Sequence, residues 1–166
     1  MPSSRYFFAV WPPAAAAAAL EAWARALEGR VTPASQIHLT LAFLGAAQPE
    51  KALAAARRVK AIPHSLPLEQ ARYWKHNKIV WVGPQSVPPA LADLVSQLHR
   101  ALREASFVLE ERPFAAHVTL LRKARPVAAL PPPPRVAWPV DEFVLVRSRT
   151  SPKGSTYEPV ERYSLS

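Results

Sequence analysis

Apolar positions recur along this chain with two alternating periods, one suited to strands and one to helices. Arg5 to Trp11 is a short aromatic and β-branched run stopped by Pro12-Pro13, which predicts a buried strand. Ala14 to Glu28 is rich in alanine and leucine and predicts a helix, with Gly29 as its stop. Gln36 to Leu44 alternates as a strand and ends at Gly45; Pro49 to Lys60 predicts a second helix with proline in its first turn. Leu66 to Trp74 and Lys78 to Val82 predict paired strands around Lys75-His76-Asn77. Pro88 to Ser106 predicts a third helix, with Leu91, Leu94, Val95, Leu98 and Leu102 as its buried stripe. Phe114 to Leu121 predicts a further strand. After the proline run Pro131 to Pro134, Val140 to Arg149 and Tyr157 to Leu165 predict a closing hairpin around Pro152-Lys153-Gly154. The proline run itself reads as a stiff surface loop.

One short pattern occurs twice. Ile37-His38-Leu39-Thr40-Leu41 is echoed by Ala116-His117-Val118-Thr119-Leu120, at a separation of 117 − 38 = 79 residues, about half the chain. In a strand, residues i and i+2 share a face, so each copy offers an imidazole and a hydroxyl on one side and anchors itself with the other. A single His-x-Thr is a weak motif. Two copies with the same apolar alternation predict two lobes of related design, each lending one strand to a shared cleft. Two imidazoles suit phosphate chemistry: one, neutral, takes a proton from water while the other, protonated, donates to the departing sugar oxygen. Hydroxyls can hold the non-bridging oxygens, where charge accumulates.

At these residues the chain resembles the two-histidine phosphoesterase superfamily, specifically the RNA 2′,3′-cyclic phosphodiesterases once named 2′-5′ RNA ligases. The resemblance spans Arg5 to Val10, Pro33 to Gly45, Phe114 to Arg122, and Phe143 to Tyr157. It implies an α+β fold: one bilobal domain over residues 1–166, with two antiparallel sheets around a central groove and helices outside. It implies hydrolysis of 2′,3′-cyclic phosphate RNA ends to 2′-phosphomonoesters, with His38 as proton donor and His117 as proton acceptor. Thr40, Thr119 and Arg122 would bind the phosphate, and Phe43 would stack on a base. Lys153 and Tyr157 are further candidates for the groove. Arg122 lies an odd number of positions from His117, so it points inward only if the strand ends or bulges first. The resemblance departs at Ala116, where relatives commonly carry proline. Ligation at the same site, and a non-catalytic RNA-end-binding module, are the competing functions; two intact histidines argue against the second.

Composition narrows the chemistry. The 166 residues carry 21 Lys and Arg against 12 Asp and Glu, a net charge of +9 that favours polyanionic partners. The absence of cysteine removes disulfides and thiolate chemistry. His64, His76 and His99 form no ligand-spaced set, so no metal and no cofactor is expected. Only four glycines are present, with no glycine-rich phosphate loop. The apolar start superficially resembles a signal peptide, but Trp11-Pro12-Pro13 interrupts it. No run reaches the ~20 apolar residues of a membrane span. The expectation is a cytoplasmic monomer acting on RNA with a 2′,3′-cyclic phosphate end, transfer-RNA fragments included.

Overall fold

The computed structural model describes residues 4–166. Its strands are β1 (Ser4–Val10), β2 (Arg30–Val31), β3 (Leu39–Gly45), β4 (His64–Ser65), β5 (Gln70–Trp74), β6 (Ile79–Gly83), β7 (Val118–Arg122), β8 (Pro139–Val140), β9 (Glu142–Ser151) and β10 (Gly154–Ser164). Its α-helices are α1 (Ala14–Arg25), α2 (Pro49–Ala56) and α3 (Pro89–Glu104). Two antiparallel four-stranded sheets result, in the orders β10-β9-β1-β3 and β2-β7-β6-β5, with β4 and β8 as a separate pair. This is the expected α+β architecture.

Each half of the chain runs strand, helix, motif strand. β1 leads through α1 to β3, its antiparallel neighbour, and β6 leads through α3 to β7, likewise its neighbour. The helices are exchanged between the sheets. α1 packs against β7 and β2, whereas α3 packs against β3 and α2. Each motif strand is thus backed by the helix of the other half. The five apolar residues expected on α3 are all buried. They join Leu20 and Ala24 of α1, Phe8 and Leu145 of the first sheet, and Val80, Val118 and Leu121 of the second in one core. Burial at this scale stabilises by about 25 cal/mol per Å² of apolar surface removed from water.

Several boundaries differ from the sequence expectation. α1 stops at Arg25 and α2 at Ala56, well before the predicted Glu28 and Lys60. Gly29 has a different task from ending the helix. A Cβ there would sit 2.9 Å from the Ala124 Cα, so glycine lets the chain pass close to the end of β7. α3 ends at Glu104, two residues before the predicted Ser106, in a Schellman turn: Phe107 N–H donates to the Leu102 carbonyl and Ser106 N–H to that of Arg103. Ser106 adopts the left-handed φ of 71° that glycine more often supplies. The first motif strand begins at Leu39, because Ala34–Gln36 forms a 3₁₀ turn ahead of it. The second begins at Val118. Both histidines therefore stand immediately before their strands.

Candidate active site

The faces of the two sheets turned away from the core border a groove of about 620 Å³. His38, Thr40, His117, Thr119, Arg122, Lys153 and Tyr157 all line it. In both copies the alternation holds: Ile37, Leu39, Ala116 and Val118 are buried, whereas the histidines and threonines are half-buried.

The two imidazoles are held alike. His38 Nδ1 lies 2.7 Å from the Gln36 carbonyl, and His117 Nδ1 lies 3.0 Å from that of Ala115. A carbonyl can only accept, so each Nδ1 carries the hydrogen and each Nε2 is left free for the groove. Gln36 does more than orient His38. Its side-chain amide donates to the Ser155 carbonyl at 2.8 Å, fastening the turn before β3 to the start of β10. On the other side, Gly83 admits the segment feeding His117, since a Cβ there would meet the Ala116 carbonyl at 2.5 Å.

Aromatic rings enclose His38. Trp11 stacks on it at 4.8 Å, Phe7 lies at 5.1 Å, and Tyr157 stands edge-on at 5.4 Å. Burial among these rings lowers the His38 pKa to about 4. The Gln36 carbonyl opposes that shift, and the charges of Arg122 and His117 add to it. Tyr157 is pushed up by burial, with Arg122 working against the rise. His117 has Trp74 at 4.7 Å and Trp81 edge-on at 6.1 Å. Of these aromatic neighbours the sequence singles out Tyr157 alone, because aromatics in alternating strands read first as core.

Bulges decide where Arg122 and Phe43 point. In β7, Thr119 pairs with Trp81 and Leu121 with Val80, leaving Leu120 as an extra residue. Leu120 and Leu121 both enter the core, so Arg122 returns to the groove side. β3 repeats the device. Thr40 pairs with Ala9 and Ala42 with Phe8, leaving Leu41 as the extra residue. Phe43 then stands opposite Phe7, on the face of Thr40. Phe43 is 53% exposed on that face but outside the lining of the groove. His99 Nε2 donates to the Leu41 carbonyl at 2.8 Å, which gives that otherwise bland histidine a structural task at the bulge.

Arg30, Thr32, Gln36, Thr150 and Ser155 complete much of the lining, and among the described residues no Asp or Glu borders the groove. Among the described residues no group of three or more His, Cys, Asp or Glu is placed to hold a metal. No helix there is long and apolar enough to cross a membrane. A second open depression, of about 670 Å³, runs along α3 past Val95, Arg100 and Phe114. It holds neither motif, and its histidine, His99, is the one bound to Leu41.

A family model described as LigT-like phosphoesterase matches residues 10–81 and 82–157, one segment for each motif. The RNA 2′,3′-cyclic phosphodiesterase of Escherichia coli K12 is 36% identical over 141 residues, covering 82% of this chain and 80% of that protein. The protein of the same name from Thermus thermophilus is 32% identical, over 97% of this chain and 90% of its own length. Among solved structures, E. coli LigT in apo form matches with a TM-score of 0.91 at 32% identity, covering 99% of this chain and 98% of that one. Its complex with 3′-AMP matches with a TM-score of 0.90 at 32% identity, covering 100% and 99%. With both motifs, both sheets and nearly the full length matched, the chain belongs to the LigT-like phosphoesterase family.

Proposed function

We propose that this chain hydrolyses 2′,3′-cyclic phosphates at RNA ends to 2′-phosphomonoesters by histidine acid–base catalysis without a metal. One observation carries the reading: two His-x-Thr segments border one groove, each with Nδ1 spent on backbone and Nε2 free. The relatives named RNA 2′,3′-cyclic phosphodiesterase, and the 3′-AMP complex of E. coli LigT, support the substrate class.

In this mechanism His117 Nε2 takes a proton from water as the water oxygen bonds to phosphorus. The P–O3′ bond breaks, and His38 Nε2–H delivers its proton to O3′. Thr40 and Thr119 donate hydrogen bonds to the non-bridging oxygens, and Arg122 offsets their growing charge. Phe43 supplies an exposed ring for a base. Because burial holds free His38 at about 4, it is neutral in the empty groove at pH 7 and acquires its proton with the anionic substrate.

That low value favours a second reading, in which the roles exchange and neutral His38 is the base. A cyclic substrate with sulfur in place of the 3′ oxygen separates the two, because a thiolate leaves without protonation. His38→Ala should recover most of its lost rate on the thio substrate while His117→Ala does not. Recovery by His117→Ala alone would assign the roles the other way.

Residues 1–166 are taken as one bilobal domain, supported by the core that both sheets share. Ligation with a 5′-hydroxyl end in place of water is a side activity of the same groove. The proposed setting is a cytoplasmic monomer acting on RNA fragments, pieces of transfer RNA included.

A further inference from the structure

The groove carries more positive charge than a cyclic phosphate can use. Arg30, Arg122 and Lys153 line it with no carboxylate among them, and none of the six ion pairs among the described residues involves any of the three. A cyclic phosphodiester brings one negative charge at neutral pH, and a second develops as water attacks. Arg122 and one imidazolium offset those two. Arg30 and Lys153 remain.

Their placement is specific. Arg30 pairs directly with Arg122 across β2 and β7. Like charges opposite one another destabilise a sheet, so an anion is the partner that would relieve the pair. β2 is the edge of its sheet, which sets Arg30 one strand farther from the motifs than Arg122. There the guanidinium approaches the β9–β10 hairpin of the other sheet, and a Cβ built on Gly154 would lie 3.9 Å from its Nη2. Lys153 is the neighbour of that glycine, and Thr150 and Ser155 also border the groove there. One end of the groove is thus flanked by a cation from each lobe.

We propose that Arg30 and Lys153 form a second phosphate subsite, which takes the phosphodiester on the 5′ side of the nucleotide bearing the cyclic phosphate. The proposal rests on the hydrolytic reading above and deepens it. It makes the preferred substrate an RNA chain of at least two nucleotides, in preference to a cyclic mononucleotide.

The test compares kcat/KM on a 2′,3′-cyclic mononucleotide, a dinucleotide ending in the same cyclic phosphate, and that dinucleotide with an uncharged methylphosphonate linkage. The wild-type protein should favour the charged dinucleotide by about tenfold over both others, the scale of a charge-assisted contact in a partly exposed groove. In Arg30→Gln, and in Lys153→Gln, the ratio of charged dinucleotide to mononucleotide should fall several-fold towards one. Added salt should erode the same ratio. Equal rates on the charged and methylphosphonate dinucleotides, or a ratio unmoved in both variants, would overturn the subsite and leave the hydrolase reading standing. No product from any of the three substrates would overturn the hydrolase reading itself.

Discussion

His38 is surrounded by the rings of Phe7, Trp11 and Tyr157, which solvate its charge poorly, while His117, four residues after the exposed Pro113, meets Trp74 and Trp81. Two chemically identical side chains therefore sit in different surroundings. Replacing either with alanine should lower turnover by ~10²-fold or more, the usual weight of a positioned acid or base. Circular dichroism of the folded variants alongside initial rates checks this, and a wild-type rate in either would remove that histidine from the mechanism. Thr40→Val and Thr119→Val keep shape and lose the hydroxyl, so each should slow turnover about tenfold or more; two silent variants would show that the phosphate is held elsewhere. The lowered His38 pKa also has a consequence for folding. The unfolded chain binds that proton near 6.5 and the folded chain only near 4, so the contribution of His38 to stability is present above 6.5 and is lost as pH falls through 4. Thermal melts should therefore drop between pH 6.5 and 4, and drop less in His38→Gln. An identical pH dependence in the two proteins would contradict the burial of the ring.

At the scale of elements, the bulges at Leu41 and Leu120 are the feature that organises the site. The His-x-Thr alternation was legible in the sequence because it repeats a period of two around buried Leu39 and Val118. The bulges were not legible. Leu41-Ala42 and Leu120-Leu121 read as ordinary continuation of a strand, and only the partner strands show that both residues of each pair turn into the core. For that reason the direction of Arg122 was undecidable from spacing alone, whereas the structure sets it in the groove. The exchange of α1 and α3 between sheets was hidden for a related reason: a periodic apolar stripe says that a helix is covered, but not by which strand. Gln36 reads in the sequence as no more than the approach to a strand, yet it holds His38 by its carbonyl and the β10 hairpin by its amide. The close passage at Gly83 yields a prediction here. Gly83→Ala pushes a methyl against the Ala116 carbonyl, and should cost about 1–3 kcal/mol of stability while displacing His117. Denaturant unfolding with matched rates checks it; an unchanged midpoint and rate would mean that the segment yields freely.

Across the whole molecule, two sheets share a core on one side and leave their other faces to a groove that concentrates cations. The net charge of +9 was legible from composition, but not its local meaning, because the six ion pairs among the described residues draw on arginines elsewhere. Binding to RNA should weaken as salt rises, through release of counterions, with a slope of about 0.7 per phosphate neutralised on a single strand. A flat titration would separate the charge from substrate binding. Opening of a cyclic phosphate by the histidine pair, unaided by metal, is read out by product analysis on a short RNA ending in a 2′,3′-cyclic phosphate, in EDTA. A 2′-phosphate product is expected, formed at the same rate with and without the chelator. A 3′-phosphate product, no product, or activity lost in EDTA and restored by a divalent ion would contradict it.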